Sequence, residues 1–376
     1  MQYTEYELGE LLPFEQPTAY IVKSTDYSDA YATPVLTAGK SFILGKTNET
    51  DGIFDQLPVI IFDDFTTATQ FVNFRFKVKS SAMKILHINT DLVIPKYIFY
   101  RLQIIQFDHS THKRYWIQSY SKIKVLIPPL DEQFRIVARI EELFSELDKA
   151  VDTLKTTKEQ LEVYRQAVLK EIFDSVSTTS VHIKDVCLDI KVGIVIKPTQ
   201  YYISENGVPA FRNANVRRGY INDTDWVMIS KEGHQQNCRS EVHTNDVLIS
   251  RSGANLGMAS VVPARYNGYN AIDVVIAVPD ISKVIPEFLA QYTNSPMGRA
   301  IVKKNERGAA QGHLNVSAYA NLPIGVPDLQ EQEKLVKQIS DRLSVCDSIE
   351  KTVDTALAQA DAMRQSILKQ AFEGTM

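Results

Sequence analysis

The chain repeats itself once, at long range. The stretch from Ile127 to Ser175 reappears without a gap from Val326 to Gly374, at a constant offset of 199 positions, 127 to 326. Identical pairs include Pro128/Pro327, Leu130/Leu329, Glu132/Glu331, Gln133/Gln332, Val137/Val336, Ile140/Ile339, Arg165/Arg364, Gln166/Gln365, Leu169/Leu368, Lys170/Lys369 and Phe173/Phe372. A solenoid repeats at periods of up to about 50 residues, so this spacing is that of a duplicated half-molecule. The order that follows is domain, helix, domain, helix.

The repeated stretch has the pattern of a helix with a seam. Val137, Ile140, Phe144, Leu147, Val151, Leu154 and Leu161 step by three and four, the a/d spacing of a coiled coil. Lys158 and Arg165 interrupt it. The copy keeps the phase with Val336, Ile339, Leu343, Cys346, Val353, Leu357, Ala360 and Ile367. Neither Gly nor Pro falls within 131–173 or 330–372, and each stretch follows a proline and opens on acidic residues that suit the positive end of a helix dipole. At about 1.5 Å per residue, each helix reaches roughly 65 Å. Only a short polar run, DSVSTTS, separates the first helix from the second globular segment. The second helix must therefore start where the first one stops and run back antiparallel to bury its seam. Four segments are expected: a globular domain over 1–126, a helical spacer over 127–175, a second domain over 176–325 and a second spacer over 326–376.

With 376 residues there is ample chain for two domains and a rod. The cysteines, Cys187, Cys238 and Cys346, are an odd and scattered set that suits a reducing compartment. No apolar run approaches a membrane span and Met1 leads into polar sequence, so a cytoplasmic location is expected. The net charge of −4 is unevenly spread. The two helical segments are acidic, the first domain is neutral and the second is mildly basic. A free-standing nucleic-acid binder is usually plainly basic. Either nucleic acid is not the ligand, or a partner supplies phosphate contacts.

Inside the globular segments the signals are mostly β. Val59–Phe65 and Phe71–Lys79 in the first, and Asp246–Gly253, Met258–Pro263 and Ile272–Pro279 in the second, are short apolar or alternating runs expected to form strands. Pro95–Gln103 and Pro286–Asn294 each suggest a short helix opened by proline. Both domains are expected to be α+β and to share in the duplication.

A search for catalytic chemistry finds little. There is no Gly-x-Gly strand–turn–helix for S-adenosylmethionine or a dinucleotide, no Walker loop and no Asn-Pro-Pro-aromatic run of an amino-methyltransferase. His109 and His112 have metal-like spacing without a nearby cysteine or acidic cluster, and no metal site is expected. Asp63-Asp64 fits a cation site less well than a strand-end cap. Ser252–Gly257 (SGANLG) fits a turn between strands better than a phosphate cradle.

The chain resembles the specificity subunit of type I restriction–modification systems along essentially its whole length. The proline-Leu-x-Glu-Gln openings of the helices (PPLDEQ, VPDLQEQ) and the Arg-Gln-x-x-Leu-Lys near each end are similar to that family's central helical regions. TAGKSFILG and PVIIFDDFTT resemble one class of its target recognition domains; PAFRNANVRRGYI, DVLISRSGANLG, PEFLAQYTNSPMGR and GAAQGHLNVS resemble another. The resemblance implies a non-catalytic adaptor whose two domains each read half of a split double-stranded DNA sequence. It also implies that the helices set the spacing and dock two adenine methyltransferase subunits, which carry S-adenosylmethionine, while restriction and translocase subunits can join. No cofactor is expected in this chain. Arg, Asn and Gln bond base edges in pairs, while Ser and Lys commonly hold phosphate. The expected DNA contacts are Lys40, Ser41, Thr66, Thr67, Lys113 and Arg114 in the first domain, with Tyr115 and Trp116 adjacent. In the second they are Arg212, Asn213, Asn215, Arg217, Arg218, Arg251, Ser252, Asn255, Gln311 and His313. Gln133, Arg165, Gln332 and Arg364 are the expected partner contacts on the helices. The competing reading is a coiled-coil scaffold with two protein- or glycan-binding domains.

Overall fold

The structure, a computed structural model, describes residues 3–37, 41–109, 114–176, 178–300 and 313–373. Two helices of 45 residues, Leu130–Asp174 and Leu329–Glu373, stand at the expected offset. None of the described helices is long and apolar enough to cross a membrane.

The chain divides into two compact units, one of residues 1–154 and 355–376, the other of 155–354. This differs from a division into domains and a separate rod. The reason is packing: each globular core continues onto one end of both long helices. In the second unit Val168, Leu169, Ile172 and Phe173 of the first helix join Leu335 and Ile339 of the second in the main core. In the first, Val137 joins the domain core, and Ile140 packs with Leu368 and Ala371.

Both units pair a four-stranded antiparallel sheet with a second, mixed sheet, of three strands in the first unit and four in the second. In the first, an antiparallel sheet runs Phe14–Glu15, Met83–Leu86, Val59–Asp63, Thr69–Val72 in spatial order, beside a smaller sheet of Ile43–Thr47, Thr33–Leu36 and Lys77–Val78 whose last pair is parallel. In the second, the order is Cys187–Val192, Val274–Pro279, Val247–Ser250, Ala259–Val261. Its mixed sheet is Tyr202–Ile203, Val227–Ile229, Val208–Phe211 and Asn270–Ala271, again with one parallel pair at the edge. In each unit the strand that leads into a long helix, Lys124–Ile127 or Pro323–Gly325, pairs antiparallel with a strand near the start of that domain, Thr4–Glu7 or Ser180–His182.

The apolar runs come from burial on both faces. Successive side chains of a strand point to opposite sides. Ile60 and Phe62 enter one core with Trp116 and Tyr120, while Val59 and Ile61 enter another with Phe54 and Phe76. Val247 and Ile249 likewise face the helix side, and Leu248 the other. The run Phe71–Lys79 is not one strand. It ends at Val72 and resumes as Lys77–Val78 in the neighbouring sheet, because Phe76 turns aside to exchange two backbone hydrogen bonds with Phe54 (2.8 and 3.2 Å).

Within each unit the long helices run antiparallel, as their partner numbers show. Asp148 pairs with Arg364 in the first unit. In the second, Lys158 pairs with Asp354, Arg165 with Asp347 and Glu350, and Glu171 with Arg342. The two interruptions of the seam are thus cations that reach acidic residues of the facing helix. Each long helix ends on a phenylalanine that docks on a proline-opened helix: Phe372 lies 5.2 Å from Tyr97 of Pro95–Leu102, and Phe173 lies 5.3 Å from Phe288 of Pro286–Asn294.

Candidate nucleic-acid interface

In the second unit, the loops after strands Val208–Phe211 and Val247–Ser250 meet the residue before strand Val274–Pro279. Asn213 is the knot. Its Oδ1 accepts from the Arg251 amide (2.7 Å) and the Ser250 hydroxyl (3.0 Å). Its Nδ2 donates to Ser252 Oγ (2.8 Å), and its carbonyl accepts from Asn255 Nδ2 (3.0 Å). Arg251 donates through Nη1 to Asp273 (2.8 Å) and through Nε to the Leu314 carbonyl (3.1 Å). His313 Nδ1 lies 3.9 Å from the other oxygen of Asp273. Asp273 sits in the left-handed region at φ 52°, a conformation costly for a non-glycine residue and found where surroundings enforce it. Asn213, Arg251, Ser252, Asn255 and His313, spread over 100 positions of sequence, thus form one half-buried polar cluster, and Asp273, which the sequence did not single out, holds it together.

The run Ser252–Gly257 is the turn between strands Val247–Ser250 and Ala259–Val261, with Gly253 and Gly257 at φ 71° and 77°. Four of the expected contacts bond within the unit. Asn215 is corrected to a structural residue: it is fully buried, accepts from the Arg212 amide and donates to the Asn222 and Thr224 carbonyls. Arg212 donates to the Asp225 carbonyl, and Arg218 to Glu162 on the first long helix. Arg217 holds a turn with its amide on the Tyr220 carbonyl (3.1 Å).

In the first unit, Thr66 and Thr67 form the turn after strand Val59–Asp63. Asp63 Oδ1 accepts from the Phe65 and Thr66 amides (2.9 and 3.3 Å), and Thr67 Oγ1 meets His109 Nε2 at 2.9 Å. His109 therefore serves this turn, and among the described residues no metal-ligand cluster is found. Asp64 points inward, with Oδ1 accepting from the Trp116 amide (2.8 Å) and Oδ2 facing the buried Lys84 Nζ (3.3 Å). Ser41 and Arg114 are exposed, while Tyr115 and Trp116 are core residues. Lys40, Lys113, His112 and Gln311 lie outside the described residues.

One joint recurs in both units. The Tyr115 amide donates to the Asp64 carbonyl (2.9 Å), and the Leu314 amide, 199 positions on, donates to the Arg251 carbonyl (2.8 Å). Asp64 and Arg251 each follow the inner strand of the main sheet, so they occupy equivalent places on a shared frame. One is a buried acid and the other a half-buried base.

The expected partner contacts on the helices also have internal roles. Gln133 and Gln332 are fully buried. Gln133 accepts from the Ile94 amide and donates to the Leu92 and Pro128 carbonyls; Gln332 accepts from the Ile285 amide and donates to the Lys283 and Pro327 carbonyls, all at 2.8–3.0 Å. These two are corrected to struts between the start of each long helix and the loop that opens the proline-led helix. Arg165 and Arg364 are the cross-helix ion pairs already described.

The sequence profile of the type I restriction modification DNA specificity domain matches residues 170–359, half of the chain. The chain belongs to this family. The EcoR124I/EcoR124II specificity subunit of the type I restriction enzyme from Escherichia coli is 45% identical over 174 residues, 43% of this chain and 43% of that protein. The EcoBI specificity subunit, also from Escherichia coli, is 27% identical over 274 residues, 66% of this chain and 58% of that protein. The chain thus spans about half the length of these curated relatives. A solved chain from the complex assembly and conformational transition of the type I R-M system superposes with a TM-score of 0.68 at 18% identity, covering 98% of this chain and 97% of that one. At that identity it shows a common fold.

Proposed function

We propose that this chain is the non-catalytic, DNA-reading subunit of a type I restriction–modification complex. Each domain reads one half of a bipartite duplex target. The observation that supports this reading is the shared frame with different chemistry at equivalent places. In the second domain Asn213, Arg251, Ser252, Asn255 and His313 gather at one sheet end; in the first, Ser41, Thr66, Thr67 and Arg114 lie on or beside the corresponding loops. A duplicated frame with divergent loops suits two different half-sites, because sequence is read by the donors and acceptors presented to base edges. Asp273 restrains Arg251 from one side and the Leu314 carbonyl from the other, so the guanidinium is presented in a set orientation. Methyl transfer falls to partner methyltransferase subunits, two in number, which bind S-adenosylmethionine and dock on the helices; restriction and translocase subunits complete the restriction complex. The complex works in the cytoplasm, where its DNA is.

The test is to purify the chain with an adenine methyltransferase subunit of its system, supply S-adenosylmethionine and map methylated adenines on genomic DNA. Methylation at one sequence of two defined halves around an undefined spacer is expected. Methylation without a bipartite sequence, or none from an assembled and folded complex, contradicts the proposal.

A further inference from the structure

The segment that follows strand Cys187–Val192 is fixed at its root beside Asp273. The Gly193 amide donates to the Val274 carbonyl (2.9 Å) and the Ile194 amide to the Ala271 carbonyl (2.8 Å). The Ile194 carbonyl accepts from the amide of Asp273 itself (3.1 Å). Gly193 lies so close to its neighbour that a Cβ there would stand 2.4 Å from the Ala271 carbonyl oxygen. The Ile194 side chain is buried with Ala210, Ile229 and Ile272. The next two residues turn outward: Val195 is 47% exposed and Ile196 75%. Lys197, exposed and in the left-handed region at φ 43°, redirects the chain into the short helical turn Pro198–Tyr201, and the Gln200 amide closes on the Lys197 carbonyl (3.1 Å).

Single exposed apolar residues are ordinary on a protein surface. Here the apolar tip stands on an anchored backbone, and the anchor is Asp273, which also bonds Arg251, Ser252 and Asn213. Ile196 is two residues beyond that anchor. Two residues at full extension span about 7 Å, the rise of about two base pairs at 3.4 Å each. The tip therefore adjoins the polar cluster of the candidate interface. Lys197 is the one charged residue within 193–200, and a cation beside the tip suits a polyanion. The apolar group that a base edge presents in the major groove is the C5-methyl of thymine. We infer that Ile196 is a base-reading residue that packs on the methyl group of one thymine in the duplex target. The inference rests on the reading of the chain as a DNA-reading subunit, and it adds to the polar cluster an apolar contact that selects a particular base.

The test uses the complex with its methyltransferase and a set of duplexes in which each thymine of the mapped target is replaced in turn by uracil, which keeps the base pairing and lacks only the methyl group. The wild-type complex should lose about fourfold in affinity at the contacted thymine, the effect of one buried methyl group. Ile196→Ala should bind the thymine duplex several-fold more weakly and show no difference between thymine and uracil at that one position, while any other uracil effect persists. A wild-type complex indifferent to every uracil overturns the contact, as does a folded Ile196→Ala complex that keeps every uracil effect. Loss of methyltransferase from a folded Ile196→Ala chain also overturns it, because the tip would then be a protein-docking point. Should Ile196→Ala not fold, Ile196→Val decides: it must shrink the thymine–uracil difference, and an undiminished difference overturns the contact. A wild-type complex that binds neither the target nor a scrambled duplex overturns the DNA-reading proposal itself, whereas the uracil results bear on Ile196 alone.

Discussion

Gln133 and Gln332 show how a single residue carries the duplication. Each is the fourth residue of a long helix and closes three hydrogen bonds to backbone groups on either side. Gln133→Met keeps the volume and removes all three, stranding a buried amide and two carbonyls. It should cost about 2–3 kcal/mol, read from the midpoint of denaturant unfolding, and Gln332→Met should cost a similar amount. A loss under half a kcal/mol would mean that water replaces the side chain. Both glutamines were visible in sequence as identical pairs. Their role was not, because the partners Ile94 and Ile285 lie 39 and 47 positions away and are backbone atoms. Asn215 was misread for the same reason: an asparagine in a polar loop looks free until the carbonyls of Asn222 and Thr224 are seen around it. Asp273 escaped notice because nothing in the run IDVVIAVP marks a left-handed residue or an arginine opposite.

At the scale of elements the sequence was more informative. The heptad pattern gave the long helices, the continuous apolar runs gave the inner strands, and prolines marked the two short helices. What it could not give was the register of one helix on the other, which depends on pairs such as Arg165 with Asp347 and Glu350. Burial alone pulls the Arg165 guanidinium down, but the two carboxylates more than offset this and its pKa is raised. Arg165→Ala should therefore lower stability by about 1–2 kcal/mol, because a shielded cation that breaks the seam is lost along with its two partners. Replacement of the exposed Lys149, which has the same charge on the same helix, should change the unfolding midpoint little. Equal effects from the two substitutions would show that the seam does not depend on the pair. The division at Val72 also lay beyond reach, since a strand that leaves one sheet for another keeps the same alternation of residues.

For the whole molecule, charge and duplication lead to two expectations. The chain carries a net charge of −4, with its acidic excess on the helical segments, so few cations remain to release counterions from DNA. DNA affinity should be weak for the chain alone and stronger, with a steeper salt dependence, once a methyltransferase subunit is bound. Titration of one duplex with and without that partner checks this; equal affinity and equal slope would contradict it. The proposed function carries the further expectation, implied by the family resemblance, that the long helices set the spacing between the two half-sites. Deleting Val151–Thr157 together with Thr355–Asp361 removes one heptad from each helix and retains the pairs Asp148–Arg364 and Lys158–Asp354. At about 1.5 Å per residue this shortens the spacer by roughly 10 Å, or about three base pairs at 3.4 Å each. The direct measurement is adenine methylation by the reconstituted complex on duplexes that keep both half-sites and vary the spacer between them. Loss of the original spacing with both half-site preferences retained is the predicted result, and an unchanged preference for the original spacing in a folded variant would contradict the account.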